Sequence, residues 1–287
     1  MKNLLRATAL SALVMTSAYA ADFKQHLGLQ IYSLRGQAGE SPTLALDTAK
    51  SYGITEVETY TGGWGKMPVE QYAAELKKRD LVAVSGHFGF NLFEKDVAAV
   101  IRDAKTLGLK YVVIPFPPLD KDRVFTEELA RKTAAQFNAW GEACKKEGIL
   151  FGYHPHGPEF RPVTAGSADT MFDILARETK PEFVTFELDV FWAFHAGQDP
   201  VKLLEKYPNR FSMIHVKDMA KGYEVGVYTG SAPPTAKVAV GTGKIDYVAV
   251  LKAAQKAGVK HYFVEDETPT PLQTIPDSFE YLRKLKL

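Results

Sequence analysis

The stretch FGYHPHGPEF, residues 151–160, joins a short apolar run to two histidines, two prolines and a glutamate. The apolar residues 149–153 predict a strand buried inside a parallel sheet. Proline cannot donate to a sheet ladder, so the two prolines predict that the strand ends here. In extended backbone His154 and His156 would face the same side, about 7 Å apart. The stretch therefore predicts a polar site at the carboxyl end of a buried strand.

The remaining chain repeats this arrangement of a short apolar run followed by a longer amphipathic one. Strands are predicted at 28–34, 54–60, 81–87, 111–116, 149–153, 183–190, 211–216 and 261–265. Helices are predicted at 42–53, 68–79, 94–107, 127–147, 167–176, from 199, at 246–257 and at 276–285. Eight strand–helix repeats within residues 21–287 match the size of a (β/α)8 TIM barrel. No shift in composition marks a second domain, so an α/β fold with one barrel domain is predicted.

A doubly wound open sheet is the alternative fold. Such a sheet usually has a phosphate-binding glycine turn after its first strand, and QIYSLRG at residues 30–36 does not have that form. One long irregular segment, residues 220–243, contains five glycines and two prolines. We expect this segment to form a loop or a small hairpin over the site.

The composition is that of an ordinary globular protein, with 46% hydrophobic and 24% charged residues in 287. A net charge of +1 gives no general attraction to nucleic acid or to an anionic membrane. A small neutral or weakly charged ligand fits this balance better. The single cysteine, Cys144, can form no internal disulfide and is predicted to be a small buried side chain.

The first twenty residues have the pattern of a secretory signal peptide. Two basic residues precede a mostly apolar run at 7–15, and an A-x-A sequence follows at 18–20. The apolar run is too short to span a bilayer, which requires about 20 residues. We expect cleavage near Ala20, export of the barrel domain at 21–287 to the periplasm, and no membrane span in the mature protein.

Ionisable side chains accumulate where the predicted strands end. They are Arg35, Glu58, His87, His154, His156, Glu159, Glu187, Asp189, His215, Lys217, Glu265 and Asp266. Active sites of (β/α)8 barrels are built at the carboxyl ends of the strands, whereas unpaired carboxylates are rarely buried by packing alone. A divalent cation would supply the charge that lets so many carboxylates lie together.

The preferred ligand set takes one residue from each of strands five to eight. It consists of His156, Asp189, His215 and Glu265, with Glu159 as the competitor for His156. Imidazole and carboxylate donors suit Mn, Zn, Co, Fe or Mg without selecting one of them.

A network of salt bridges offers an alternative interpretation of these residues. It would join Lys217, Asp218, Glu265 and Asp266 without any metal. In the metal-site interpretation, Lys217 points inward as a cation for a substrate oxygen, and Asp218 holds the end of its strand.

Several motifs in chain order resemble one known family. They are QIYSLR, GITEVE, SGH, YHPHGPEF, ELDVFWAFHAGQDP, IHVKD, VGTGKIDY and VEDE, which together extend over residues 30–267. The chain resembles the xylose isomerase-like TIM barrel family of sugar-phosphate isomerases and epimerases. The resemblance implies a divalent metal held by strand-end groups, and it supports Asp189, His215 and Glu265 as ligands. Many members have a glutamate in strand five, where this chain has His154 and His156, so the fourth ligand stays open.

The resemblance and the site residues together predict a metal-dependent isomerase or epimerase acting on a keto sugar. The predicted first step removes a proton next to a carbonyl and forms an enediolate, with Glu159 or His154 as the base and Lys217 assisting. Arg35, Glu58 and His87 would bind hydroxyl groups, and Trp192, with Trp64 and Phe88, would give the sugar an apolar wall.

Three other functions compete with this one. A lyase or hydratase acting on oxidised, keto glycosides shares the first step, and export favours such unphosphorylated substrates. A sugar-binding barrel without turnover belongs to a different class. Endonuclease activity ranks last because the charge is balanced. Members of the family often associate, so a homo-oligomer is also expected.

Overall fold

Eight apolar strands pair in parallel and close into a barrel within residues 22–287, which the computed structural model describes. The predicted signal peptide, residues 1–20, lies outside the described residues. The first seven barrel strands are β1 Leu27–Gln30, β2 Glu56–Tyr60, β3 Val82–His87, β4 Tyr111–Ile114, β5 Leu150–Tyr153, β6 Val184–Asp189 and β7 Phe211–Val216. Two short strands follow, β8 Asp218–Met219 and β9 Lys237–Val238, and β10 His261–Val264 closes the barrel between β7 and β1. The predicted (β/α)8 TIM barrel is confirmed.

Helices connect the strands along the outside of the barrel. They are α1 Arg35–Glu40, α2 Pro42–Ser51, α3 Val69–Lys78, α4 Phe90–Leu107, α5 Glu127–Lys146, α6 Met171–Glu178, α7 Val190–His195, α8 Pro200–Lys206, α9 Tyr247–Lys256 and α10 Pro271–Lys284. Their starts follow local capping chemistry: Thr126 accepts from the Leu129 N–H at the start of α5, and Asp246 accepts from the Ala249 N–H at the start of α9. Within residues 22–287, none of these helices has the length and apolar character needed to cross a membrane.

Several boundaries differ from the sequence prediction, and three of the differences are described here. Strand β1 ends at Gln30 because its side chain accepts a hydrogen bond from the Tyr32 N–H at 3.0 Å and starts a 3-10 turn. Helix α6 begins at Met171 instead of at 167, where Thr170 provides the cap. Helix α10 begins at Pro271, and Pro276 lies inside it. Pro276 is the sixth residue of the helix and has no N–H, so one i→i−4 hydrogen bond is missing there.

The residues 220–243 bring β8 and β9 together as an antiparallel pair, which confirms a small hairpin. Its tip reaches the carboxyl end of the barrel, where Gly230 approaches Phe116 and the backbone of residue 156. Cys144 is fully buried in α5, as predicted.

An apolar layer inside the barrel determines how far along the barrel axis the polar site lies. It is formed by Val84, Val113, Met213 and Phe263, which pack together as a cluster separate from the main core. Side chains in a strand repeat their direction every two residues. His215 therefore follows Met213 on the same face of β7, and Glu265 follows Phe263 beyond β10. The apolar layer thus directs the next polar residues toward the carboxyl end of the barrel.

Asp173 holds the start of α6 through several hydrogen bonds. Its Oδ2 accepts from the Thr170 backbone N–H at 2.6 Å, and its Oδ1 accepts from Lys206 Nζ at 2.6 Å and from the Tyr207 hydroxyl. Burial disfavours the Asp173 carboxylate, but these hydrogen bonds outweigh burial and lower its pKa below the ordinary value.

We expect Asp173→Asn to lower the free energy of unfolding by about 1–3 kcal/mol at pH 7, because charge-assisted bonds to a buried group are lost. The folded-state pKa is depressed, so the contribution is present above the unfolded pKa of about 3.9 and is lost as the pH falls through the folded value. Urea unfolding of both proteins between pH 2 and 7 measures this. The exposed Asp169→Asn is the matched control, and an equal effect of both substitutions at every pH would contradict the assignment.

Candidate active site

A cavity of about 400 Å³ opens at the carboxyl ends of the barrel strands. Its lining residues are Tyr32, Tyr60, Thr61, His87, Gly89, Pro115, Phe116, His154, His156, Trp192, Gly230, Glu265 and Glu267. Aromatic walls with a polar floor are typical of a site for a small, hydroxyl-rich ligand.

Four side chains from consecutive barrel strands converge beside this cavity. His154 follows β5, Asp189 ends β6, His215 lies in β7 and Glu265 follows β10. Asp189 Oδ2 lies 3.7 Å from His154 Nε2 and 3.9 Å from His215 Nδ1, and Glu265 Oε2 lies 3.3 Å from the same His215 nitrogen. These atoms form a close group of two imidazole nitrogens and two carboxylate oxygens.

Two atoms of this group are buried without a hydrogen bond. Among residues 22–287, His154 Nε2 and Asp189 Oδ2 have no hydrogen-bond partner. Buried polar atoms are nearly always paired, and a nitrogen lone pair facing a carboxylate oxygen cannot form a hydrogen bond without a proton between them. A divalent cation would pair with both atoms, so the donor set fits a metal ion.

Two carboxylates below this group orient the imidazoles. Glu58 Oε2 lies 2.5 Å from His215 Nε2, and Glu187 Oε2 lies 2.9 Å from His154 Nδ1. Each contact assigns the ring proton to the nitrogen that faces the carboxylate. His154 Nε2 then presents its lone pair to the group above, whereas His215 Nδ1 faces Glu265 Oε2 at 3.3 Å and would lose its proton when a cation binds. Carboxylates commonly position metal-binding histidines in this way.

The orienting carboxylates are themselves held by further side chains, of which Gln30 and Ser85 were not predicted from the sequence. Gln30 Nε2 and Ser85 Oγ donate to the Glu58 carboxylate at 2.7 and 2.5 Å. Glu187 Oε2 also contacts His87 Nε2 at 2.8 Å. Ser85 lies two residues before His87 on β3, so the period of two could have identified it. Gln30 had no comparable signal, because it is a neutral residue at the end of an apolar run.

The pKa values of these groups follow from burial and from their neighbours. Burial, with the nearby imidazoles of His215 and His156, holds the pKa of His154 well below its ordinary value. Burial raises the pKa of Asp189 to about 6 against the attraction of Lys217. Burial disfavours a charged His215, but the surrounding carboxylates outweigh it and raise its pKa well above the ordinary value. His154 is therefore a neutral imidazole near pH 7, as a metal ligand must be.

Lys217 lies in an ion-paired network at the side of this group. Its Nζ donates to Glu265 Oε2 at 2.9 Å and to Glu267, and it lies 3.7 Å from Asp189 Oδ2. Its side chain also lies over the ring of Trp192. Lys217 is 2% exposed, so it acts on the site through its charge and not from the cavity surface.

The alternative salt-bridge network is only partly present. Lys217 pairs with Glu265, but Asp218 accepts backbone N–H groups, including those of Met219 and Gly241, and so holds the hairpin. Asp266 accepts from the Thr268 N–H instead of pairing with Lys217.

The loop after β5 carries three candidate ligands or bases, and the structure places them in different surroundings. His154 joins the buried group, and His156 lines the cavity with its Nδ1 unpartnered within the described chain. Glu159 lies outside the cavity, fully buried, and accepts hydrogen bonds from the Tyr153 hydroxyl and from the Gly157 N–H at 2.9 Å. The structure therefore places Glu159 as an anchor for the loop and brings His154, not His156, next to Asp189.

The predicted substrate-binding residues occupy different positions. His87 and Trp192 line the cavity, whereas Glu58 is fully buried beneath it. Arg35 lies over the ring of Tyr32 and donates to its backbone carbonyl, outside the cavity lining. The two other aromatic residues, Trp64 and Phe88, pack against each other in the core.

Two overlapping sets of possible ligand atoms occur at this end of the barrel in residues 22–287. One contains His87, His154, Glu187 and His215, and the other contains Asp189, His215 and Glu265. In the first set, the imidazole nitrogens that face the carboxylates already donate hydrogen bonds to Glu187 and Glu58. The second set, extended by His154 Nε2, carries the unpartnered atoms and is the better coordination site.

The fold and this group of side chains define a (β/α)8 barrel with a polar, metal-compatible centre at its carboxyl end. The family model for the xylose isomerase-like TIM barrel matches residues 46–285. The chain belongs to the xylose isomerase-like TIM barrel family.

Similar proteins include several named inosose dehydratase. The one from Geobacillus thermodenitrificans (strain NG80-2) is 27% identical over 185 residues, covering 59% of this chain and 57% of its own length. The one from Bacillus cereus (strain AH820) is 27% identical over 236 residues, covering 74% and 76%. The chain thus spans little more than half of the first of these relatives.

Solved structures show the same fold. A sugar phosphate isomerase/epimerase from Parabacteroides distasonis ATCC 8503 has a TM-score of 0.74 and 26% identity, covering 90% of this chain and 96% of that one. The IOLI protein, solved with a binding zinc atom, has a TM-score of 0.66 and 15% identity, covering 90% and 95%.

Proposed function

We propose that the protein is a divalent-metal-dependent enzyme that removes a proton next to the carbonyl of a keto sugar or sugar derivative, and that a lyase reaction follows. The observation that carries this proposal is the pair of unpartnered buried atoms within residues 22–287, His154 Nε2 and Asp189 Oδ2, 3.7 Å apart beside the cavity. Such a pair has no role in packing, but it suits a cation.

The residues that would hold the cation are His154, Asp189, His215 and Glu265. Their mixed donors suit Mn, Zn, Co, Fe or Mg. A cation at these atoms would supply Lewis-acid polarisation of a carbonyl oxygen, which makes the adjacent C–H more acidic. Glu187 keeps the His154 proton on Nδ1, so Nε2 is free to bind, and Glu58 holds the His215 ring so that a cation would replace the proton on its Nδ1.

His156 is the base in this proposal. It lines the cavity, and within the described residues its Nδ1 has no hydrogen-bond partner. The ring lies 4.5 Å from the ring of His154 and 5.5 Å from that of Trp192, measured between centroids. A substrate carbon held between Trp192 and the polar floor would therefore lie beside the His156 ring. Glu159 is less suitable because its carboxylate is engaged by the loop.

The cavity lining favours a single sugar ring as the group bound. Tyr32, Tyr60, Phe116 and Trp192 offer aromatic surface, and His87 offers a polar edge. Sugar rings combine apolar C–H faces with hydroxyl groups, so they suit this mixture. Export, which we propose from the N-terminal sequence, favours an unphosphorylated sugar such as a keto glycoside.

Elimination is the preferred outcome because relatives named inosose dehydratase match this chain. The C–H bond next to the carbonyl and the C–O bond at the β carbon break, and a C=C bond forms. The proton held by His156 leaves with the departing oxygen, as water or as an alcohol. Isomerisation or epimerisation is the second candidate, favoured by the 26% identity to the Parabacteroides distasonis protein.

Solvent deuterium uptake tests the shared first step. With keto sugars and keto glycosides in D2O, we expect deuterium at the carbon next to the carbonyl or in the eliminated product, measured by NMR. EDTA treatment should abolish the uptake, and Mn²⁺ should restore it. Ligand binding without exchange, unaffected by EDTA, would instead indicate a sugar-binding barrel and contradict the proposal.

A further inference from the structure

A second group of histidines and a carboxylate lies at the amino-terminal ends of the barrel strands, remote from the active site. It consists of His26, Glu56 and His261, and we call it the floor cluster. His26 directly precedes β1, Glu56 begins β2 and His261 begins β10. Because β1 pairs with both β2 and β10, the three residues come from neighbouring strands.

The two imidazoles share one carboxylate. His26 Nδ1 lies 2.8 Å from Glu56 Oε1, and His261 Nδ1 lies 2.7 Å from Glu56 Oε2. One ligand atom from each residue lies within 4.8 Å of the others. A tetrahedral Zn²⁺ holds its ligand atoms about 3.3 Å apart. The imidazole–carboxylate contacts would therefore need to lengthen by only about half an ångström to admit the ion.

The cluster is held in place before any ion binds. The side chains of His261 and Glu56 are 5% and 14% exposed, and both lie at the starts of barrel strands. The His26 side chain is 38% exposed, so it is open to solvent and could admit an ion. A nearly fixed pair of ligands with a third that can move suits reversible metal binding.

A separate cavity adjoins the floor cluster and provides room for further ligands. Its volume is about 320 Å³, and its lining includes His26, His261 and Tyr111. Lys110 and Lys260 also line it. Three protein ligands leave one position of a tetrahedral ion open, as in catalytic zinc sites. The two lysines disfavour a bare cation but would favour an anion in that open position.

We propose that His26, Glu56 and His261 form a second divalent-metal site, selective for ions that accept imidazole nitrogen, such as Zn²⁺. Each imidazole would then carry its proton on Nε2 and coordinate the ion through Nδ1, and water or an anion would occupy the position facing the cavity. The ion would fasten the 3-10 helix Phe23–His26 to the barrel. It would thereby add stability without contributing to turnover.

Zinc titration followed by calorimetry tests this site. The wild-type protein should bind one more equivalent of Zn²⁺ than either His26→Gln or Glu56→Gln. Each substitution should weaken that equivalent by roughly 100-fold or more, since a ligand matters more than the residues that orient it. Enzyme activity should not change, because the floor cluster lies outside the active-site cavity.

Lys24→Gln is the matched control, because it changes a partly exposed side chain in the same 3-10 helix. It should retain the additional equivalent. His26 is partly exposed, so its variant should fold, and circular dichroism verifies this. Equal stoichiometry and affinity for wild type, His26→Gln and Glu56→Gln would overturn the proposal and leave the cluster as a hydrogen-bonded contact only.

Discussion

Asp189→Asn is expected to remove the bound metal and nearly all turnover while leaving the fold intact. Asp189 Oδ1 accepts the Trp192 N–H at 2.9 Å and caps α7, and the asparagine oxygen can keep this bond. The substitution replaces only Oδ2, which has no hydrogen-bond partner within residues 22–287. The NH2 group that takes its place cannot bind a cation. We expect metal affinity to fall by more than about 100-fold and kcat/KM by about 1,000-fold or more.

Elemental analysis, steady-state kinetics and thermal unfolding together measure this prediction. Asp199→Asn is the matched control, because Asp199 also caps a helix, α8, by accepting a backbone N–H, that of Val201, at 2.9 Å. It makes the same chemical change at another helix start, remote from the cavity. Full metal content and activity in Asp189→Asn would show that this carboxylate is not a ligand.

Replacing each of the two histidines after β5 in turn is expected to affect the metal content differently. His154→Ala removes an inner nitrogen of the proposed metal site and should lower metal affinity by more than about 100-fold. His156→Ala removes the proposed base and should leave the metal content unchanged while lowering kcat by about 100-fold to 10,000-fold. Deuterium uptake should be lost in both variants, for different reasons.

Addition of excess Mn²⁺ distinguishes the two causes. It should restore exchange at least partly in His154→Ala, by mass action, and should not restore it in His156→Ala. The two variants control for each other because each replaces one histidine of the same loop by alanine. If His156→Ala lost its metal and His154→Ala retained it, the ligand would be His156, as the sequence alone suggested.

The barrel was predictable because its strands are short apolar runs with polar residues near or directly after their carboxyl ends. Strands β6 and β7 show this most clearly, since Glu187 and Asp189, then His215 and Lys217, follow the period of two. Boundaries that depend on one side chain were not predictable from periodicity. Gln30 ends β1 by capping a turn, and Thr170 fixes the start of α6.

The stretch after β5 shows why the site itself was only partly predictable. The period of two placed His154 and His156 on one side, but β5 ends at Tyr153, so extended geometry does not continue through both histidines. Sequence proximity also made Glu159 a candidate ligand or base. The Tyr153 hydroxyl and two backbone N–H groups hold its carboxylate instead. Such local hydrogen bonds depend on the folded loop and leave no periodic signal.

Supporting residues were harder to predict than charged ones. Glu58 has a carboxylate and was selected as a substrate-binding residue, yet it lies fully buried against His215 and orients that imidazole. Ser85 and Gln30 complete its hydrogen bonds and are neutral. Their importance follows from contacts between remote strands, which a single sequence does not reveal.

Anomalous X-ray diffraction from crystals soaked with Mn²⁺ tests most directly whether strands five to eight hold a cation together. The predicted result is one strong peak within bonding distance of His154 Nε2, Asp189 Oδ2, His215 Nδ1 and Glu265. A fully loaded crystal with no peak among these four side chains, or with manganese only at other positions, would contradict the proposed metal centre and the chemistry derived from it.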